Sequence, residues 1–177
     1  MAEKKNSPSI VKLAVLLMVI CAVVSAVLGA VNMVTAPTIE QIAADKTTAA
    51  YNEVLPSAAG YEAVDYTDAN VTAVAKCAEG VVVEVSISGS QSTLALAIGV
   101  DTTGAISGVS IIDHGETPGL GAKSTEAEWR AQFVGQTSGL ALDKKGGDIV
   151  ALTGASITSQ AIVDACQIAI DVAATVG

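Results

Sequence analysis

The residues able to do chemistry are concentrated in two short segments of an otherwise apolar chain. The first is Thr153-Gly154-Ala155-Ser156-Ile157-Thr158-Ser159. Gly154 and Ala155 carry so little bulk that a ligand can approach the backbone and the Ser156 hydroxyl closely. A short apolar run precedes the segment and a helical pattern follows it. Ser156 is therefore expected just before a helix whose free N–H groups and dipole favour an anion. That arrangement is a physical phosphate site, although the same residues would equally serve as a strand end and a helix N-cap. The second segment is Glu116-Thr117-Pro118-Gly119-Leu120-Gly121-Ala122-Lys123. Pro118 fixes φ and the glycines permit positive φ, so the loop can turn backbone N–H groups toward a ligand. Its alternative is an ordinary connecting loop. Lys123 followed by Ser124 lacks the spacing of a nucleotide P-loop.

Other chemistries are poorly supplied. Cys21, Cys77 and Cys166 are scattered, and His114 is the single histidine of the chain. This inventory assembles neither a zinc site nor an iron–sulfur cluster. A nucleophile–histidine mechanism would have to run through His114 alone, so no catalytic residue and no metal ligand are assigned. Residues 36–177 hold 17 acids against 6 bases, a charge that repels phosphate backbones and argues against nucleic acid as a partner.

The elements that must position the two segments begin with a membrane anchor. The 177 residues are 51% hydrophobic and 15% charged, too apolar for an ordinary soluble domain and excluding a disordered one. Leu13 to Val34 is an uncharged run of 22 residues, about 33 Å as a helix against a hydrocarbon core of about 30 Å. It is long for the apolar region of a signal peptide and lacks a good cleavage site. Lys4, Lys5 and Lys12 precede the run, and the first base after it is Lys46. The positive-inside rule then puts the N-terminus in the cytoplasm and the acidic domain outside.

Beyond the span, Pro37 to Tyr51 reads as a continuing helix that Pro56 and Gly60 stop. Strands are expected at Val71 to Ala75, Val81 to Ser88, Leu94 to Val100 and Ile106 to Ile112. Tight turns join the last three, so an antiparallel meander is the economical reading. Ser124 reads as the N-cap of a helix running to Phe133, Ile149 to Leu152 as a short strand, and Ser159 to Val176 as a final helix. The fold class is α+β: one N-terminal transmembrane helix, then a domain whose antiparallel sheet is packed by helices. The expected divisions are 1–12 cytoplasmic, 13–35 transmembrane, 36–60 membrane-proximal helix and linker, and 61–177 the functional domain.

The ETPGLG loop, the Trp about ten residues on, and the TGAS-I-TS turn before the last helix together resemble the FMN-binding domain of bacterial ion-translocating electron-transport complexes. The resemblance extends over essentially the whole chain and is nearest to the G component of the Rnf ferredoxin:NAD oxidoreductase. The C component of the sodium-translocating NADH:quinone reductase is a longer relative with both motifs. The resemblance implies FMN joined through its phosphate to the hydroxyl after the Gly-Ala pair, by a separate flavin transferase. That hydroxyl is Ser156, where the family usually has Thr, with Thr158 in reserve. A second departure is Val150, where an acid is usual; Asp148 lies two residues back. The resemblance also implies that Glu116, Thr117, Gly119, Leu120, Gly121, Lys123, Trp129, Thr153, Gly154, Ala155 and Thr158 bind the cofactor. Trp129 and Phe133 would share a helix face, either for flavin stacking or for core packing. The implied role is a flavoprotein that relays electrons among the redox subunits of a complex in the inner (plasma) membrane. The alternatives are a flavoprotein of the NADH:quinone reductase type, a stand-alone extracellular flavin electron carrier, and an anchored assembly protein with no cofactor.

The charge asymmetry yields a test. In cells without an outer barrier, protease added from outside should remove residues 36–177. Protection of that segment, under conditions that digest known exported domains, would reverse the orientation.

Overall fold

The computed structural model describes residues 10–177; Lys4 and Lys5, which help set the expected orientation, lie outside them. The chain divides into two compact units, Met1–Ala44 and Asp45–Gly177. Helix α1, Ile10–Val54, enters both. Within the first unit its apolar side chains, among them Leu13, Leu16, Ile20, Val24, Leu28 and Val31, are exposed. A helix apolar all round is stable only in apolar surroundings, and this one is long enough to cross a membrane. Pro37 lies inside it. Two residues earlier, the Thr35 hydroxyl donates back to the Val31 carbonyl at 3.0 Å.

The second unit is built on five strands: β1 Glu62–Val64, β2 Val71–Cys77, β3 Gly80–Ser88, β4 Thr93–Asp101 and β5 Ile106–Asp113. They lie side by side in sequence order, each antiparallel to the next. The expected meander is thus present, with β1 added at its edge; three residues of mixed polarity give that strand no periodicity to read. In β3 and β4 the side chains alternate between two cores, as the period of two requires. Val81, Val83, Val85, Leu94, Leu96, Ile98 and Val100 pack against helix α3, Ser156–Val176, and against Trp129 and Phe133. Val82 and Ala97 face the other way, toward Ala50, Tyr51, Val54 and Leu55 at the end of α1. The α3 positions expected to be apolar, Ile162, Val163, Cys166, Ile170 and Ala173, are all buried. Long and apolar as α3 is, it is a core helix.

The end of α1 reaches the sheet through a gap in side-chain bulk. Gly99 stands opposite Gly108 in the β4–β5 register. A Cβ on Gly108 would lie 2.9 Å from the Val54 Cα, and one on Gly99 would lie 2.7 Å from the Val54 oxygen. The Ser107 hydroxyl donates to that oxygen at 2.6 Å. The Glu53 carboxylate accepts from Ser110 Oγ at 2.5 Å and from Arg130 Nη1 at 3.0 Å, and the same Arg130 nitrogen donates to the Val109 carbonyl. Burial raises the Glu53 pKa, but the Ser110 hydroxyl and Arg130 outweigh it and hold the group below its ordinary value.

Three expectations are corrected. Ser124 to Phe133 is not one capped helix but a 3-10 turn at Gly121–Thr125, a single α turn (α2) at Ala127–Arg130, and a second 3-10 turn at Ala131–Phe133. Ser124 is no cap: its buried hydroxyl donates to the Gly121 carbonyl at 2.7 Å, and the extended Glu126 starts the α turn. Ile149 to Leu152 is not a strand but has one isolated parallel bridge, Leu142 to Ile149. The last helix begins at Ser156, not Ser159, so Ser156 is its first residue.

Gly108→Val should force the end of α1 off the sheet and destabilise the domain by about 1–3 kcal/mol, the usual range for overpacking. The measurement is the thermal midpoint of the domain; an unchanged midpoint would show that the glycine pair does not seat the helix.

Candidate functional site

Both motif segments are tight turns of the same kind. In Thr117–Leu120 the Leu120 N–H donates to the Thr117 carbonyl at 3.1 Å. Pro118 and Gly119, with φ +77°, occupy the two central positions as a type II turn prefers. In Leu152–Ala155 the Ala155 N–H donates to the Leu152 carbonyl at 3.0 Å, and Gly154 has φ +78°. The turns meet at their tips. A Cβ on Gly154 would lie 3.0 Å from the Leu120 Cδ2, so Leu120 lies over the one residue without a side chain.

Glu116 holds this arrangement together. It is 5% exposed. One carboxylate oxygen accepts the backbone N–H groups of Ser90, Gln91 and Ser92 at 3.0, 3.0 and 3.3 Å. The other accepts the Thr158 hydroxyl at 2.8 Å. One side chain thereby joins the β3–β4 hairpin, its own loop and the first turn of α3. Gly89 and Gly121 make room for it: a Cβ on either would fall within 2.5 Å of a Glu116 oxygen. Burial raises the carboxyl pKa, but the Gln91 amide, the Thr158 hydroxyl and the Ser92 and Ser90 amides outweigh it, and the group stays below its ordinary value.

The four hydroxyls of the second turn divide into two pairs. Thr158 is fully buried and donates to Glu116. Ser159, also fully buried, accepts the Leu152 N–H and donates to the Ala155 carbonyl, both at 3.0 Å. Thr153 and Ser156 are exposed. Ala155, at the N-cap, supplies no side-chain hydrogen bond. Within the described residues the N–H groups of Ser156, Ile157 and Thr158 have no carbonyl acceptor, the first being that of Ser159 to Ala155. These are the open donors expected of a helix start.

Two recesses flank the turn. One, of about 450 Å³, is lined by Lys123, Trp129, Gln132, Val150 and Thr153 among others. The other, of about 540 Å³, is lined by Ser156, Ile157, Lys144, Lys145, Leu142 and Gln160 among others. Trp129 is mostly core. It packs edge-on against Phe133 with centroids 5.3 Å apart, and its indole N–H donates to the Val150 carbonyl at 2.8 Å. His114 Nδ1 accepts the Glu116 N–H at 3.3 Å. Of the residues singled out from the sequence, Glu116, Leu120, Gly121, Gly154 and Thr158 meet directly. Lys123, Trp129 and Thr153 share one recess, and Ser156 opens on the other. Thr117 and Gly119 lie at the loop tip, and Ala155 is buried beneath the turn. Lys144 and Lys145 read in the sequence only as a polar turn, since nothing in their spacing ties them to Ser156.

Residues 1–54 match the RnfG N-terminal region family, and residues 89–171 match the FMN-binding domain family. The G component of the ion-translocating oxidoreductase complex of Methanosarcina acetivorans is 34% identical, over 94% of this chain and 95% of its own. This chain belongs to the RnfG family. The G component of the Na(+)-translocating ferredoxin:NAD(+) oxidoreductase complex of Acetobacterium woodii is 35% identical, over 91% of this chain and 90% of its own. A crystal structure of the C component of Na(+)-translocating NADH-quinone reductase from Parabacteroides distasonis is 19% identical, with a TM-score of 0.46 over 71% of this chain and 79% of that one. That likeness is too distant to weigh between the two complexes.

The FMN-binding match runs from the hairpin turn that Glu116 holds into α3, enclosing both motif turns. The groups on the surface of this RnfG chain suit such a cofactor. There are unpaired amides and an exposed hydroxyl for a phosphate, recesses of ligand size, and the exposed apolar side chains of Leu120, Val150 and Ile157 beside them.

Because the folded-state pKa of Glu116 is depressed, its contribution to stability is complete above the unfolded value of about 4.3. It is lost as pH falls through the lower folded value. Glu116→Gln should flatten this acid limb in a stability-versus-pH profile. Glu116→Ala, which strands three amides, should cost at least about 2 kcal/mol at neutral pH. A Glu116→Gln profile that parallels wild type would assign the acid limb to other carboxylates.

Proposed function

We propose that this chain is the membrane-anchored flavoprotein of an Rnf-type ion-translocating ferredoxin:NAD oxidoreductase, relaying electrons through FMN among the other subunits. Membership in the RnfG family carries this reading, and the site chemistry agrees with it. Glu116 is committed to structure, to three amides and Thr158, and His114 Nδ1 accepts the Glu116 N–H. When bound, FMN supplies the redox chemistry, and the chain supplies position, charge and a tether.

The tether in this reading is a phosphoester between the FMN phosphate and Ser156 Oγ; a separate flavin transferase would move the FMN phosphoryl from a flavin dinucleotide to Ser156, breaking the pyrophosphate bond and releasing the nucleoside monophosphate and the hydroxyl proton. Ser156 is exposed and opens the helix, so the phosphodiester's negative charge would meet the unpaired amides of Ser156, Ile157 and Thr158. Thr158, the reserve acceptor, is the weaker choice because its hydroxyl is buried on Glu116. Thr153 is exposed but precedes the helix. Val150, which stands where an acid is usual, has an exposed side chain. Its N–H donates to Gln132 Oε1 at 2.8 Å and its carbonyl accepts the Trp129 indole, so this departure leaves the backbone path to the turn braced. In this reading the anchor lies in the plasma membrane with the FMN domain on the outer face, as the charge asymmetry favours. There a lost cofactor could not readily be replaced, and a covalent bond removes dissociation.

Coexpressed with a flavin transferase, the chain should gain the mass of one FMN less one water and stay fluorescent after denaturation. Ser156→Ala should lose both signals, and Ser156→Thr should keep both. A wild-type chain without bound flavin would end the covalent-carrier reading, and a Ser156→Ala chain that keeps it would move the acceptor.

A further inference from the structure

We infer that Lys144 and Lys145 form, with the start of α3, the site for the phosphate-terminated polyol end of the flavin, and that Lys123 does not. This rests on the reading of the chain as an FMN carrier attached at Ser156. The recesses on either side of the turn are chemically different, and only one of them contains Ser156. Lys123 shares the 450 Å³ recess with Thr153 and Trp129. Lys144 and Lys145 share the 540 Å³ recess with Ser156, Ile157 and Gln160. An anion bonded to Ser156 Oγ therefore lies on the side of the lysine pair.

The pair is built, not incidental. Residues 36–177 carry 17 acids and only 6 bases, so lysines on this surface have abundant acids to pair with. Among the described residues, however, neither the Lys144 nor the Lys145 side chain has a salt bridge or hydrogen-bond partner, and both are left for an external anion. Their loop is braced from both ends. The Asp143 N–H donates to Ile149 O at 2.8 Å, the Gly147 N–H to Leu142 O at 3.0 Å, and the Ile149 N–H to Ala141 O at 3.2 Å. Gly146 takes φ +84°, and a Cβ on Gly147 would fall 2.0 Å from the Ala141 oxygen. The two glycines thus let a 3-10 turn, Asp143–Lys145, close tightly against the segment that leads to Ser156.

Gln160 and the acid Asp164 also line this recess. Gln160 Nε2 donates to Asp164 Oδ1 at 2.8 Å, so the acid of the recess is engaged by the amide and by neither lysine. Two cations beside open helix amides suit a phosphate. The ribityl phosphate of FMN has that chemistry.

The test uses the full chain in detergent with Ser156→Ala, so that binding is reversible, and compares FMN with riboflavin, which lacks the phosphate. The preference for FMN should be on the order of tenfold at low salt, as a charge-assisted contact implies, and should shrink as salt is raised. Lys144→Gln with Lys145→Gln should abolish the preference, and Arg at both positions should restore it. Lys123→Gln should leave it intact. A preference that survives the double Gln variant, or that vanishes in Lys123→Gln, overturns the assignment. A Ser156→Ala chain that never distinguishes FMN from riboflavin also overturns it, and ester-linked FMN on the wild type would then leave the carrier reading standing. The carrier reading fails separately if wild type gains no ester-linked flavin, and the two-ligand comparison still decides the lysines.

Discussion

The candidate site depends on one buried carboxylate. Glu116 gathers three hairpin amides on one oxygen and the Thr158 hydroxyl on the other, fixing three segments far apart in sequence. A carboxylate shielded from water is costly to bury unless its lone pairs are filled, and here four donors fill them. The glycines at 89 and 121 follow from the same requirement, since any side chain there would collide with the carboxylate. With the loop and α3 held in this way, Leu120 can lie over Gly154 and the two turns can present one surface.

This constraint also sorts the hydroxyls. Thr158 is consumed by Glu116, and Ser159 is consumed by Leu152 and Ala155. Both hold α3 against the turn. Ser156, the first residue of the helix, is left exposed among amides that nothing in the described chain accepts. A segment with four hydroxyls thereby offers one that is both accessible and beside the positive end of a helix. The last residues of α1, Glu53 and Val54, meet the sheet independently, through the Gly99–Gly108 gap and the Glu53–Arg130 pair, so the site and this helix end rest on separate sets of contacts in the domain.

Much of this is legible in the sequence where periodicity or turn chemistry speaks. The alternating strands of the meander, the apolar face of α3 and the Pro-Gly and Thr-Gly turns can all be read locally. Glu116 reads only as a residue lining the cofactor, because a loop carboxylate gives no local sign of being buried; the sign lies in three amides about 25 residues upstream. The Ile149 to Leu152 run looks like a strand because it is apolar. Its backbone groups are instead taken by side chains: Gln132 on the Val150 N–H, Trp129 on its carbonyl, and Ser159 on the Leu152 N–H. Ser124 looks like a cap because its type suits one, yet burial turns its hydroxyl inward. In each case a long-range partner or a buried setting, invisible to local pattern, decides the outcome.

If the fold leaves Ser156 as the hydroxyl open to esterification, the position of the bond will show it. Trypsin cleavage after Lys145 yields a peptide, residues 146–177, that contains all four hydroxyls of the turn. Fragmentation of that peptide, from chain made with a flavin transferase, locates the bond. The added mass, one FMN less one water, should sit on Ser156. The same mass on Thr158 or Ser159 would mean that the Glu116 clamp does not hold these hydroxyls in the protein that is modified, and would contradict the assignment.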